Sequence, residues 1–295
     1  MSIEKINIRP RLPEWIRVKT HTGKDRQNVN AILKELQLNT VCESAKCPNL
    51  GECWHKKTAT FMIMGNECTR NCKFCAVSHN EPMPLNSDEP SKVAEAVRKM
   101  ALKYVVITSV TRDDISDGGA HVFAQTINEI RKLNGTDIKI EVLTPDFNGS
   151  SDSIKIVLDA KPTVFNHNIE TVERLSSEIR KKATYKKSLN VLSKAVEISN
   201  GKIPVKSGIM VGMGETNEEI VTAIKDIRKM GTSILTIGQY LPPTNNHWKL
   251  IRYVEPDKFK LWEEIAYELG FIHVASGPLV RSSYMAEQLM KSELH

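Results

Sequence analysis

All six cysteines of this 295-residue chain lie between positions 42 and 75. They form two triplets, C-x4-C-x5-C in VCESAKCPNLGEC and C-x3-C-x2-C in ECTRNCKFC. Thiolates are soft ligands suited to iron–sulfur clusters or to zinc. Three thiolates hold three irons of a cubane cluster, and no further cysteine remains to complete either triplet. If both triplets bind cubanes, each fourth ligand is therefore a residue other than cysteine or a small molecule.

Other uses of cysteine fit this pattern less well. Disulfides require an oxidising compartment and usually a small domain, and MSIEKINIRPRLPEW lacks the apolar region of a secretory signal. Zinc remains an alternative, because Cys72 and Cys75 form a CxxC pair with His55 and His79 nearby. Structural zinc, however, usually takes four ligands arranged in pairs. A thioredoxin-type CxxC would leave four neighbouring cysteines unexplained.

Length and charge narrow the class of protein. The chain is long enough for one barrel-sized domain with extensions. No apolar run approaches the eighteen or so residues of a membrane span, so we expect no membrane insertion. The formal charge of +6 suits an acidic protein partner but is too small to indicate nucleic-acid binding. Free cysteines without an export signal predict a cytoplasmic location.

Short apolar runs alternate with helical patterns from residue 59 onward. Strands are predicted at 59–65, 104–110, 139–145, 163–169, 204–212 and 234–241, and helices at 28–38, 91–101, 119–133, 151–160, 188–199, 216–230 and 256–270. Thr216 and Glu219 form a capping-box pattern at the start of one helix. Six successive β–α units imply parallel strands with right-handed crossovers. Because a complete barrel has eight, we predict an α/β fold with a partial, open (β/α)6 barrel.

This barrel divides the chain into three predicted parts. Residues 1–57 form an N-terminal extension with the first triplet, 58–245 form the barrel, and 246–295 form a C-terminal extension. Chemistry in such barrels gathers at the carboxyl ends of the strands. The second triplet closely follows the first predicted barrel strand, so its cluster is expected at that end.

Several motifs together resemble a known family. A C-x3-C-x2-C with Phe74 before its last cysteine is the pattern of the radical S-adenosylmethionine (SAM) enzymes, whose partial barrel matches the fold predicted above. The upstream triplet and the C-terminal RSSY at 281–284 resemble the lipoyl synthase family within them. The likeness extends through TSVTRDD, EVLTPDF, FNHNIETV and GQYLPP. One departure is Asn71 and Lys73, where family members often read RRCPFC; neither position is a ligand.

The resemblance implies two [4Fe–4S] clusters. One is held by Cys68, Cys72 and Cys75, with SAM on its open iron; the auxiliary cluster is held by Cys42, Cys47, Cys53 and Ser283. A serine oxygen is harder than sulfur and binds iron less durably, so Ser283 is expected to release during turnover. The expected SAM contacts are Phe74, Thr111, Asp113, Asn168, Glu170, Arg180, Met210 and Gln239.

The resemblance also implies an enzyme and its partners. The expected reaction is sulfur insertion at carbons 6 and 8 of a protein-bound octanoyl-lysine, giving lipoyl-lysine, with the auxiliary cluster as sulfur donor. Expected partners are the carrier domains of 2-oxoacid dehydrogenase E2 and glycine cleavage H protein. A ferredoxin or flavodoxin and iron–sulfur assembly proteins complete the set. The alternatives are another radical SAM sulfur-inserting enzyme, such as a biotin synthase-like one, and a non-enzymatic iron–sulfur carrier.

Overall fold

The computed structural model describes residues 12–16, 24–41 and 59–283. Its described strands are β1 (Asn39–Thr40), β2 (Ala59–Ile63), β3 (Tyr104–Ser109), β4 (Lys139–Leu143), β5 (Val164–Asn166), β6 (Val205–Val211), β7 (Ile234–Gln239) and β8 (His273–Gly277). Its described helices are α1 (Lys24–Leu36), α2 (Glu89–Lys99), α3 (Ala120–Asn134), α4 (Ser151–Asp159), α5 (Glu173–Ile179), α6 (Tyr185–Ile198), α7 (Asn217–Lys229) and α8 (Pro256–Glu268). Two short 3-10 turns lie at Glu14–Ile16 and Phe147–Gly149.

The strands form a single sheet in chain order, from β1 to β8. Strands β2 to β8 are parallel, and β1 pairs antiparallel with β2. Among the described strands, β1 and β8 do not pair with each other, so the sheet stays open. The α/β partial barrel is thereby confirmed, with all six predicted barrel strands in place.

Three elements were missing from the sequence prediction. Strand β8 pairs with β7 along its length, although its sequence HVASG has no long apolar pattern. Helix α5 is a single short stretch between β5 and α6. The two-residue β1 exists only through its bonds to Met62 and Phe61. Strands β1 and β8 depend on neighbours distant in sequence, which local periodicity does not report.

Helices cover the outer face of the sheet. Successive side chains of a strand point to opposite faces, so the apolar side chains on the outer face need this cover. The predicted apolar face of α3, formed by Ala120, Phe123, Ile127 and Ile130, is fully buried. The predicted capping box of α7 is also present, with both reciprocal bonds between Thr216 and Glu219. The outer layer is therefore an ordinary apolar core.

The inner face of the barrel is different, because it carries buried polar side chains. Tyr104 and Val106 of β3 alternate with Val105 and Ile107 and form a small cluster apart from the main core. Polar side chains on the strands, among them Thr60, Glu141, Lys206 and Thr236, are almost completely buried. An interior of this kind can receive polar chain segments or ligands.

The three-part division of the chain remains a prediction. The segment assigned to the C-terminal extension contributes β8 to the same sheet as the barrel strands. Within the part of the chain that the structure describes, no helix has the length and apolar character needed to cross a bilayer.

We expect Phe123→Ala to lower the free energy of unfolding by about 3–5 kcal/mol, because it empties a core site that contacts Phe147 edge-on. Urea denaturation followed by circular dichroism measures the change. Leu133→Ala on the same helix is the matched control, since Leu133 is 44% exposed, and should change stability by less than about 0.5 kcal/mol. Equal losses in the two variants would contradict the placement of α3.

Candidate active site at the carboxyl end of the barrel

A cavity lies where β2 to β5 end. Loops after these four strands supply its walls, including Cys68 after β2, Thr111 after β3, Asp146 after β4 and Asn168 after β5. Cys72 and Cys75 complete the cysteine triplet at the same cavity, and all three are free thiols. The second triplet thus lies at the predicted end of the barrel.

Backbone hydrogen bonds fix the cysteine loop against its neighbours. The N–H of Thr69 donates to the carbonyl of Thr111 (3.0 Å), and the N–H of Lys73 donates to that of Ile179 (2.8 Å). Further N–H groups point at the sulfurs: Thr111 donates to Cys68 Sγ (3.3 Å) and Lys181 to Cys72 Sγ (3.4 Å). Such donors stabilise thiolates and tune cluster potentials. The loop therefore fits an iron–sulfur cluster.

The pKa values of the thiols agree with a site that needs a metal to hold thiolates. Burial raises the pKa of Cys72 above its usual value and that of Cys75 to about 12. Coordination would have to displace these protons. Among the described residues, no three His, Cys, Asp or Glu side chains converge on one metal ion. A cubane does not require such convergence, because each thiolate binds a different iron.

Zinc finds less support in this arrangement. His79, the candidate nearest the CxxC pair, contacts the side-chain amide of Asn71 (3.0 Å). Within the described ranges the triplet therefore lacks the compact four-ligand set that structural zinc requires.

Arg70, inside the C-x3-C segment, joins the cysteine loop to the ends of two strands. Its guanidinium donates to both oxygens of Asp113 (2.9 and 2.7 Å) after β3. It also donates to both oxygens of Asp146 (2.8 Å each) after β4. The side chains of Arg70 and Asp146 are 4% and 0% exposed, so this is a buried, doubly bidentate ion pair. Arg70 therefore fixes the loop's position on the barrel.

This ion pair changes the expected role of Asp113. The residue was predicted to hold the SAM amino group, but both its oxygens are bound by Arg70 and it does not line the cavity. The hydrogen bond from Arg70 holds the pKa of Asp113 below its usual range. The described structure thus assigns Asp113 a structural contact and gives its predicted SAM contact no support.

Arg180 enters the cavity at the end of a buried hydrogen-bond chain. His167 Nδ1 lies 2.9 Å from the carbonyl of Thr144, so that nitrogen carries the proton. Its Nε2 then accepts from the Ser188 hydroxyl (2.9 Å), whose oxygen accepts from Arg180 Nη1 (2.8 Å). Burial and the charge of Arg180 lower the pKa of His167 to about 4, so the imidazole stays neutral. The chain orients the guanidinium beside Glu170.

Several polar atoms on the cavity wall lack partners and suit a polar ligand. Asn168 Oδ1 and Ser109 Oγ are buried without a hydrogen-bond partner among the described residues. Burial raises the pKa of Glu170, and the charge of Arg180 opposes this rise. Unpaired buried polar atoms are costly unless a ligand satisfies them. The wall therefore fits a ligand with donor groups and a carboxylate, as SAM has.

The predicted SAM contacts divide into two groups. Lining the cavity are Phe74, Thr111, Asn168, Glu170 and Arg180. Met210 and Gln239 do not line it, and the Gln239 amide bonds the backbone of residues 211, 240, 252 and 254. Their predicted contact with adenosine has no support here, because the Gln239 side chain already serves the turn after β7.

The auxiliary set is only partly described. Cys42, Cys47 and Cys53 lie outside the described residues, so their role stays a prediction. Ser283 is described and half-buried, directly after Ser282. The Ser282 hydroxyl accepts from Asn168 Nδ2 (2.8 Å), which brings the C-terminal motif to the cavity wall.

Sequence reasoning missed Arg70, Asp146, His167 and Ser188. Arg70 and His167 carry the clearest signal, since Arg70 stands between two cysteines and His167 lies in FNHNIETV after a strand. Ser188 and Asp146 carry no such signal in the sequence, because their roles depend on hydrogen-bond partners that only the fold brings close.

Comparison with known proteins now assigns the family. The model of the radical SAM superfamily matches residues 62–227, and that of the N-terminal domain of lipoyl synthase matches residues 1–47. The lipoyl synthase of Caldanaerobacter subterraneus is 55% identical over 277 residues, covering 94% of this chain and 96% of that protein. The chain belongs to the lipoyl synthase family. It is a radical SAM enzyme of the sulfurtransferase class, and a [4Fe–4S] cluster and SAM follow from that membership.

Other relatives agree. The lipoyl synthase of Rubrobacter xylanophilus is 52% identical over 276 residues, covering 94% of this chain and 85% of that protein. Among solved structures, methylornithine synthase matches with a TM-score of 0.57 at 11% identity, covering 90% of this chain and 84% of the other. The hydrogenase maturase HydG of Carboxydothermus hydrogenoformans matches with a TM-score of 0.56 at 15% identity, covering 91% and 79%. At these identities the structures show a shared fold alone.

We expect Arg70→Leu to destabilise the cluster-free protein by about 3–5 kcal/mol at neutral pH, because two buried carboxylates lose their shared cation. Urea unfolding at pH 7 measures the loss. Arg98→Leu is the matched control, since its pair with Glu95 is on the surface and 60% of the Arg98 side chain is exposed; less than about 0.5 kcal/mol is expected there.

The pH dependence has a definite sign. Arg70 holds the pKa values of Asp113 and, against the opposing effect of burial, Asp146 below their usual range. Their contribution to stability is thus present above the unfolded pKa of about 3.9 and is lost as pH falls through the lower folded values. In Arg70→Leu the largest opposition to burial is gone, so the stability difference from wild type should shrink as the pH falls below about 4. A difference that grows on acidification would contradict the ion pair.

Proposed function

We propose that this chain inserts sulfur at carbons 6 and 8 of an octanoyl group amide-linked to a lysine of a lipoyl-carrier domain. The supporting observation is the cavity where three free thiols of one loop meet unpaired polar groups, in a chain related to lipoyl synthases along 94% of its length. Acting on lipoyl-carrier proteins follows from the family. The two carbon positions and the source of the sulfur are the proposal.

The residues of the cavity have distinct tasks in this reaction. A cluster on Cys68, Cys72 and Cys75 together with SAM would supply a 5′-deoxyadenosyl radical, which removes hydrogen from unactivated carbon. Arg180, aimed by Ser188, offers its planar guanidinium to the SAM carboxylate. Asn168 and Glu170 present acceptors beside it, and Phe74 forms part of the wall. These groups bind and orient; none of them is required to move a proton.

We extend the proposal to an auxiliary cluster as the sulfur donor. Cys42, Cys47 and Cys53 would hold it with Ser283. The position of Ser283, next to a serine bonded to the cavity residue Asn168, supports a sulfur source close to the radical. A serine ligand binds iron less durably than cysteine, which suits a cluster that is consumed.

The acyl chain alone is a weak means of binding. Burying about seven carbons at ~0.8 kcal/mol each gives roughly 5–6 kcal/mol, or a Kd near 0.1 mM before ordering costs. The enzyme therefore needs contact with the carrier domain itself. Lys181, Lys182, Lys186 and Lys187 lie beside the cavity residue Arg180 and match an acidic carrier.

The structure separates these four lysines into two pairs. Lys182 and Lys187 reach the site's own carboxylates, at 3.4 Å from Asp113 and 3.9 Å from Asp146. Lys181 and Lys186 are exposed, as is Lys182, and the 86% exposed Lys186 lies 3.8 Å from Glu173 outside the cavity. Because Lys181 and Lys186 do not bind Asp113 or Asp146, they are the better candidates for carrier contact.

Other parts of the system belong to the same proposal. A low-potential donor, a ferredoxin or flavodoxin, would supply the electron for SAM cleavage. Iron–sulfur assembly proteins would rebuild the auxiliary cluster, and a reducing cytoplasm would keep its thiols free. A biotin synthase-like role or an iron–sulfur carrier role finds no supporting observation in this cavity.

The reaction is tested with anaerobically reconstituted enzyme, SAM, a low-potential reductant and an octanoyl-lysyl peptide, followed by mass spectrometry. We expect a product with two additional sulfurs and about one such product per chain, since the donor is consumed. Cys47→Ala should still form 5′-deoxyadenosine without sulfur product, whereas Cys72→Ala should form neither. Deoxyadenosine with an untouched peptide in wild type would refute the substrate assignment while leaving the radical SAM activity.

Contact with the carrier is tested by charge reversal. We expect Lys181→Glu with Lys186→Glu to raise the Kd for an octanoylated carrier domain about tenfold relative to the Kd for the octanoyl peptide. Titration calorimetry measures both. The control is Lys132→Glu with Lys260→Glu, which makes the same charge change at lysines 75% and 77% exposed elsewhere. Equal effects of the two double variants would argue against a specific docking surface.

A further inference from the structure

The barrel interior contains a buried ion pair that the proposed chemistry does not use. Lys206 Nζ on β6 lies 2.9 and 3.2 Å from the two oxygens of Glu141 on β4, and both side chains are 1% exposed. Glu141 also accepts from the Tyr104 hydroxyl (2.7 Å) and from Asn166 Nδ2 (2.9 Å). A buried pair seldom stabilises a fold more than apolar residues would. Its presence therefore points to a specific task.

The third hydrogen-bond donor of the Lys206 ammonium group indicates this task. Lys206 Nζ also donates to the backbone carbonyl of Ser282, at the C-terminal end of the described chain. A lysine ammonium has three donors, and here two go to Glu141 and one to Ser282. The Glu141 network thus orients Lys206 toward the chain segment that carries Ser283.

A glycine provides the second half of the seat. A Cβ built on Gly238 of β7 would lie 2.1 Å from the carbonyl oxygen of Val280, so only glycine lets the segment approach this strand. Gly277, at the end of β8, differs, since its Cβ would meet Val280 Cγ2 at an ordinary 3.5 Å. The 280–283 segment therefore lies against the inner face of the barrel.

We propose that Lys206 and the bare Cα of Gly238 form a seat inside the barrel for residues 280–283, with Lys206 as a positioning residue for Ser283. The seat itself stands on the contacts above; its importance for sulfur insertion rests on the proposed function. Removing the seat would release the segment without disturbing the sheet, because the strands pair through their own backbone bonds.

The seated segment also contacts a residue that lines the proposed SAM cavity. Asn168, which lines the cavity, donates from Nδ2 to the Ser282 hydroxyl, and its Oδ1 is buried beside Gly208. A seated segment therefore holds the amide of a residue that lines the cavity. Ser282 is thus held through its carbonyl by Lys206 and through its hydroxyl by Asn168.

Hydrogen exchange of the full chain, read by mass spectrometry before and after cluster reconstitution, tests the seat. We expect peptides covering 280–283 to exchange about 10- to 100-fold faster in Gly238→Ala and in Lys206→Met with Glu141→Gln, the effect of losing a hydrogen bond to a charged group. The second variant removes both charges, so neither is left buried alone. The matched control is Gly277→Ala, in which the segment should stay protected.

The exchange results decide whether the seat exists. Unchanged exchange at 280–283 in Gly238→Ala would overturn the seat. Lys206→Met with Glu141→Gln could also speed exchange in β6 and β7. In that case the comparison of Gly238→Ala with Gly277→Ala decides, because Gly238→Ala keeps every charge.

A second readout separates the seat from the proposed reaction. In reconstituted Gly238→Ala, deoxyadenosine formed per sulfur inserted should rise at least tenfold over Gly277→Ala. A released segment with an unchanged ratio would confirm the seat and refute its link to Ser283. If wild type inserts no sulfur, the proposed function fails while the exchange result still stands.

Discussion

The site depends on the ion pairs that the Arg70 guanidinium makes with Asp113 and Asp146. The cysteine loop has no core of its own, so backbone hydrogen bonds to its neighbours and this ion pair hold it in position. Arg70 lies between the cysteines and binds two carboxylates that follow neighbouring strands, Asp113 and Asp146. Because parallel strands end at one edge, a single side chain can join both ends to the loop. The barrel thus fixes the position of the thiols.

The same principle extends through the interior. The outer face of the sheet is apolar and needs only helices, whereas the inner face holds charged and amide groups that must be paired. Glu141 and Lys206 satisfy each other deep in the barrel, and His167, Ser188 and Arg180 form an ordered chain near its mouth. Among the described residues that line the cavity, Asn168 and Ser109 each keep one buried polar atom without a partner.

The C-terminal segment of the described chain reaches this interior through specific contacts. Ser283 reaches it because Ser282 is bound by Lys206 and Asn168 and because Gly238 has no side chain in the way. Asn168 links this segment to the cavity, because it lines the cavity and its amide nitrogen donates to Ser282. Residues 281–283 of the motif thus lie beside the wall of the cavity.

The fold was largely predictable from local patterns. Six strands and the amphipathic helices follow from periodicity, since each buries one face. Strand β8 was not predictable, because its small residues gain their role only from pairing with β7. The cysteine loop was placed correctly because a ligand motif after the first barrel strand must lie at the barrel's carboxyl end. Five of the eight expected SAM contacts line the cavity, namely Phe74, Thr111, Asn168, Glu170 and Arg180.

The sequence by itself indicated the radical SAM family, because the motifs that carry the resemblance are properties of the chain alone. It could not decide which polar residues face a ligand and which face each other. Asp113 bonds Arg70 rather than the cavity, and Gln239 bonds the backbone around β7, because the partners come from segments distant in sequence. Only the tertiary structure decides such pairings, since a buried polar group takes whichever partner the fold brings within hydrogen-bond distance.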